Sequence, residues 1–218
     1  MIRAIVSLVL LVCLMPLGAF AASPSAAIIA ECTAANGTNL STLGWTTALN
    51  QGWEVQSNRC VPNSTANFQG SFYSTALPST NMELYATIIT PPAADTVTTL
   101  IYRAQTTGFT DYYELRISPV AGTQWYIASY STIADSPTFI TSVDLGSNYV
   151  SGDQIWVTVV GTHHTVYYNG AVLYSFDNSA VTTGTYVGLL APNTANVVLD
   201  AIGAGSLLPS AARRRHAQ

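Results

Sequence analysis

The 218-residue chain is 49% hydrophobic and only 8% charged, against about 25% charged in a typical globular protein. Its seven basic residues are all arginine and are outnumbered by eleven acids, for a formal net charge of -4. This balance excludes a disordered polyelectrolyte and a nucleic-acid-binding domain, which would show a basic stripe. Ten prolines, fifteen glycines and long threonine-rich stretches exclude a coiled coil or helical bundle.

The chain opens on Arg3 and a nearly unbroken apolar run from Ile5 to Leu14, followed by Pro16, Gly18 and the small-x-small triplet Ala19-Phe20-Ala21. These are the parts of a secretory signal peptide over residues 1–21, which predicts a secreted protein with no membrane attachment after cleavage. Export sets the meaning of the two remaining cysteines, Cys32 and Cys60. In an oxidising compartment an isolated pair most simply forms a disulfide, worth roughly 3–4 kcal/mol in the chain-entropy description. A metal site is the weaker alternative, because His163, His164 and His216 lie far from both cysteines in sequence. Asn36-Gly37-Thr38, Asn39-Leu40-Ser41 and Asn63-Ser64-Thr65 are glycosylation sequons.

From about residue 52 to residue 203 the pattern is one of short period-2 segments separated by turn signals. Met82 to Ile89 alternates at its start and stops at Pro91-Pro92. Thr96 to Arg103 sets Leu100 and Tyr102 on one face, Ile101 and Arg103 on the other. Tyr112 to Ile117 sets Tyr113, Leu115 and Ile117 against Tyr112, Glu114 and Arg116; Gln124 to Tyr130 follows. Ile155 to Val160 is apolar apart from Thr158, as in a central buried strand. Thr165 to Tyr174 surrounds Asn169-Gly170, a pair that tolerates positive φ at both positions of a type I′ hairpin turn. Gly184 to Leu190 and Asn196 to Ile202 are the final strands. The prediction is an all-β, two-sheet antiparallel sandwich over residues 22–208, with a flexible basic tail, 209–218, carrying Arg213-Arg214-Arg215.

Several segments in this order resemble the laminin-G-like domains of the concanavalin A-like lectin/glucanase superfamily. They are Asn36-Gly37-Thr38-Asn39-Leu40 with Gly44-Trp45, Gly52-Trp53-Glu54-Val55, Ser57-Asn58-Arg59, Tyr113-Glu114-Leu115-Arg116-Ile117, Tyr168-Asn169-Gly170, Gly184-Thr185-Tyr186-Val187-Gly188-Leu189 and Leu199-Asp200-Ala201-Ile202. The resemblance spans about residues 30–205 and implies a jelly-roll with two curved sheets. It also implies that the Glu31-Cys32-Thr33 strand lies beside the one carrying Arg59-Cys60, so that the disulfide staples the entry to the sandwich. Members of the superfamily include sugar-binding modules, adhesion modules and glycoside hydrolases.

The hydrolase branch carries a Glu-x-Asp-x-x-Glu strand motif, since its chemistry needs two carboxylates flanking the glycosidic bond. Glu31, Glu54, Glu83 and Glu114 each lack a second acid two or four residues away, and Asp111 and Glu114 are three apart. No nucleophile elbow, phosphate loop or zinc-protease motif occurs, so no cofactor and no catalytic residue are predicted. His163 and His164 alternate across a strand and cannot readily grip one ion; His164 shares a face with Val166 and reads as structural. The resemblance implies a rim calcium in some members, but Asp135, Asp144, Asp177 and Asp200 are dispersed and form no dense calcium loop.

With Leu115, Ile117, Ile127 and Val166 facing the core, their neighbours Arg103, Tyr112, Glu114, Arg116, Tyr126, Tyr130 and Tyr167 are predicted to face outward on one sheet. Aromatic faces beside Arg and Glu suit sugar recognition. The same residues equally suit plain cross-strand pairing. The main reading is a secreted, non-catalytic glycan-binding module; the alternative is a structural or adhesive surface protein that self-assembles through edge strands lacking lysine or decorates a particle, and a glycoside hydrolase is the weaker third.

Overall fold

The computed structural model describes residues 24–63, 68–90, 96–120, 124–145, 150–191 and 197–207. The predicted signal peptide and basic tail lie outside these residues, as do the Pro91-Pro92 break and Ser64-Thr65 of the third sequon. The strands in chain order are β1 (Ile28–Ala30), β2 (Thr38–Asn39), β3 (Trp45–Leu49), β4 (Trp53–Gln56), β5 (Arg59–Pro62) and β6 (Gln69–Tyr73). β7 (Met82–Thr90), β8 (Thr98–Ala104), β9 (Tyr112–Val120), β10 (Gln124–Ile133) and β11 (Ser136–Asp144) follow. The chain continues through β12 (Asp153–Val160), β13 (His163–Tyr168), β14 (Ala171–Asp177), β15 (Tyr186–Ala191) and β16 (Val198–Ser206).

Every ladder is antiparallel. A nine-stranded sheet runs β14-β13-β12-β7-β16-β5-β4-β2, with β1 also on β16, and a seven-stranded sheet runs β11-β10-β9-β8-β15-β6-β3. This is the predicted two-sheet antiparallel sandwich. β12 is interior, between β7 and β13, as its apolar run requires. The Asn169-Gly170 turn has φ of 48° and 88°, the left-handed pair that a type I′ hairpin needs. β11 was not anticipated, because Ser136-Pro137-Thr138 opens it with turn-forming residues.

The two sheets meet over Leu84, Ala86, Ile88, Ile155, Val157, Val159 and Val166 from one side and Leu100, Leu115, Ile117, Ile127, Val187 and Leu189 from the other, all buried. A polar-aromatic cluster interrupts this core. His164, fully buried, stacks on Phe176 at 4.6 Å and meets the Tyr113 ring edge-on at 4.5 Å. Its Nδ1 lies 3.3 Å from the Tyr102 hydroxyl, and the Tyr174 hydroxyl pairs with Ser129 Oγ at 3.0 Å. Burial, followed by the Arg103 charge, pushes the His164 pKa down to about 4. His163 points the other way and sits exposed beside Asp177 at 3.1 Å, as strand alternation demands.

Cys32 and Cys60 form the predicted disulfide, with Cα atoms 5.2 Å apart. The expected strand neighbourhood is different: β1 ends at Ala30 and pairs with β16 at Gly203 and Ile202, not with β5. Cys32 follows in a left-handed conformation, φ 53°, which turns the chain out of the ladder and towards Cys60. Asn39 caps a short 3₁₀ turn, Leu40–Leu43, through Oδ1 accepting from Ser41 N, and its Nδ2 donates to the Gln51 carbonyl.

Candidate functional site

Strand alternation puts Tyr112, Glu114 and Arg116 of β9 on the outer face of the seven-stranded sheet, opposite Thr132, Tyr130 and Ala128 of β10. On the other flank, Ile101 and Thr99 of β8 pair with Glu114 and Arg116. Beyond β8 the same face is lowered by Gly188 and Gly70. A Cβ on Gly70 would lie 2.5 Å from the Phe109 ring, and one on Gly188 would lie 2.8 Å from Phe72. Two ladder positions without side chains therefore let Phe109, from the loop between β8 and β9, fold down onto the sheet, edge-on to Phe72 at 5.1 Å.

The result is a cleft of about 530 Å³, lined by Thr99, Glu114, Arg116 and Leu190, by Phe109, Tyr112, Leu49, Phe68 and Val97, and by Thr132, Asp135 and Pro137. Its size falls within the range of small-molecule sites, and its lining of mostly apolar side chains with a few polar groups is the usual composition of one.

The polar part of the cleft is a relay. Thr132 Oγ1 donates to Glu114 Oε1 at 2.5 Å, and Arg116 Nε donates to Glu114 Oε2 at 2.5 Å. The Arg116 guanidinium lies over the Tyr130 ring, 4.0 Å from its centroid, and Tyr130 meets Phe139 edge-on. Burial opposes the Arg116 charge, but the Glu114 hydrogen bond and charge outweigh it and raise the arginine pKa. Burial, then the Glu114 charge, pushes Tyr112 up to about 12, so it is a neutral phenol. Asp135 stands exposed at the mouth on the Ala134-Asp135 turn, where both residues have positive φ, 46° and 61°. Asp111 Oδ1 holds that turn by accepting the Ala134 N–H at 3.0 Å.

The predicted residues divide accordingly. Tyr112, Glu114 and Arg116 come together in the cleft. Glu114 is only 3% exposed, and each of its carboxylate oxygens accepts a hydrogen bond, one of them from Arg116. Tyr130 supports Arg116 from the side, and Tyr126 pairs opposite Ser118 one row further along β9.

Two residues do not belong. Arg103 falls in a bulge, with φ 51° and a register slip between β8 and β15, which turns its side chain inward. It is 1% exposed and donates to the Thr80 carbonyl from Nε and to the Val181 carbonyl from Nη1. Tyr167 faces outward on the other sheet, stacked on Trp156 at 4.7 Å. Phe109, Phe68, Leu49 and Asp135 were missed, because loops and distant strands bring them to the cleft.

Among the described residues no group of three or more metal-ligating side chains comes together. Of the dispersed aspartates, Asp200 pairs with Arg59 and Asp177 with His163.

No family model matches the sequence, and no curated protein matches it. Solved structures do. The carbohydrate binding module CBM66 from Bacillus subtilis superposes with a TM-score of 0.55 at 11% identity, over 75% of this chain and 96% of that one. The exoplasmic/lumenal domain of VIP36, in a form bound to Ca2+ and Man3GlcNAc, gives 0.60 at 10% identity, over 79% and 88%. GH43B of the Bacteroides ovatus xyloglucan locus gives 0.56 at 16% identity, over 85% of this chain but 40% of that one. At these identities the likeness shows the fold alone, a concanavalin A-like two-sheet sandwich.

Proposed function

We propose that this is a secreted, non-catalytic carbohydrate-binding module whose ligand lies in the cleft on the outer face of the seven-stranded sheet. The observation that carries the reading is the cleft itself: an arginine held in place by a buried glutamate, framed by Phe68, Phe109 and Tyr112. Aromatic and aliphatic walls offer surfaces to the C–H faces of a sugar, while Arg116 and Asp135 supply a donor and an acceptor for its hydroxyls. The carbohydrate-binding module and lectin domain among its structural neighbours support the choice of ligand class. Glu114 is nearly buried and ion-paired with Arg116, which leaves Asp135 as the exposed acid among the described lining residues and disfavours a two-carboxylate hydrolysis.

The test is a broad glycan array probed with the chain expressed through a secretory route, with calcium and then with a chelator. Reproducible binding is expected, weakened at least about tenfold in Arg116→Ala, as for a lost charge-assisted hydrogen bond. A folded protein that binds nothing refutes the reading.

A second reading, self-association, rests on the open edges. β11, nine residues long and mostly exposed, and β14 end their respective sheets, and neither carries a lysine or arginine. Sedimentation over a range of concentrations decides it: a strict monomer removes this reading.

A further inference from the structure

The cleft's charge balance points further than its shape. Arg116 is its only cation among the described lining residues, and that charge is already answered by Glu114 at 2.5 Å. Asp135 then adds a carboxylate at the mouth for which no ion pair occurs among the described residues, and Asp111 lies directly behind it, bonded to the same turn. Tyr112 stays neutral. The rest of the lining is Thr99, Thr132 and apolar side chains. The chain has no lysine, and of the other arginines in the described residues, Arg59 pairs with Asp200 and Arg103 is buried inside the sandwich. Among the described residues no second cation lines the cleft.

No hydrogen bond among the described residues uses Arg116 Nη1 or Nη2. These groups are free to donate, but they do so from an ion pair that is already neutral, under the field of an additional carboxylate. We infer that the cleft selects uncharged glycans and rejects uronic-acid-bearing, sialylated or sulfated ones. This inference rests on the glycan-binding reading above and narrows its ligand class. Physically, Arg116 serves as a hydrogen-bond fork for hydroxyl pairs, with Glu114 holding its orientation. Asp135 accepts from a hydroxyl and repels an acidic substituent.

The experiment uses pairs of ligands matched in everything but charge: lactose with sialyllactose, and methyl-esterified with de-esterified oligogalacturonide. Neutral gluco-, xylo- and manno-oligosaccharides accompany them, with a heparin hexasaccharide as the acidic extreme. Affinities are measured at low and high salt for the wild-type chain and for Asp135→Asn, whose fold is verified by its thermal transition.

The expected result is that only neutral members bind at low salt. Any residual affinity for an acidic counterpart should be at least about tenfold weaker, and the gap should narrow as salt screens the field. In Asp135→Asn the ratio of acidic to neutral affinity rises by about fivefold, as for removal of one unit charge from a partly solvated site.

Preferential binding of acidic members, lost in Arg116→Ala, overturns the inference but leaves the glycan-binding reading standing. An acidic-to-neutral ratio unchanged by Asp135→Asn also overturns it. Failure of every oligosaccharide to bind refutes the glycan-binding reading, and the inference falls with it.

Discussion

The buried imidazole of His164 makes this fold sensitive to mild acid. The folded state holds it neutral between Phe176, Tyr113 and Tyr102, with its pKa lowered from 6.5 to about 4. Between those two values the unfolded chain binds a proton that the folded chain does not. Stability therefore falls as pH drops through 6.5 and keeps falling until the folded pKa is reached. Linkage over this interval gives a loss of about 2 kcal/mol by pH 5 and about 3 kcal/mol by pH 4, relative to neutral pH. The clean quantity is a difference between two proteins, in which every other effect of acid cancels. His164→Leu keeps an apolar side chain of similar bulk in the site and removes the titration. Urea unfolding at intervals from pH 7.5 to pH 4 should show wild type losing about 3 kcal/mol against the variant, most of it below pH 6. A wild-type-minus-variant difference that stays flat within about 0.5 kcal/mol would refute the reasoning, since His164 would then titrate alike in both states.

Tyr167→Ala should leave glycan affinity unchanged while Phe109→Ala weakens it, because Tyr167 stands on the opposite sheet; array binding of both variants checks this. Gly184→Ala places a Cβ 1.8 Å from the Arg103 carbonyl oxygen, a backbone contact that cannot give way. It should cost upwards of about 2 kcal/mol, read from the denaturation midpoint. Replacing Cys32 and Cys60 together by serine should cost roughly 3–4 kcal/mol for a separation of 28 residues, measured against the same variant background in reductant.

Much of the sandwich is legible in the sequence because alternation is local. Leu115 and Ile117 must face opposite to Glu114 and Arg116 in any strand, and they do. Alternation says that a side chain points outward, but not from which sheet. Tyr112 and Tyr167 look equivalent in sequence and lie on opposite sides of the molecule, since sheet membership depends on pairings between remote segments. Arg103 fails for a second reason: a single bulge residue reverses the face of everything read by period 2. The cleft walls were hidden because Phe109 and Asp135 sit in a loop and a turn. One signal was available. Gly70 and Gly188 interrupt strand-like runs, and a glycine there marks the close approach of another group, which proved to be Phe109 and Phe72.

The position of β16 has a consequence for how the chain can be assembled. It is the last strand in the described chain, yet it pairs with β7 on one side and with β5 and β1 on the other. Until it pairs, β7 and β5 present two raw edges in the middle of the nine-stranded sheet. Completing that sheet therefore waits for Val198–Ser206, which close it through contacts with strands remote in sequence. Loss of β16 would leave the seven-stranded sheet its full set of strands but split the other sheet into β14-β13-β12-β7 and β5-β4-β2, whose new edges invite aggregation.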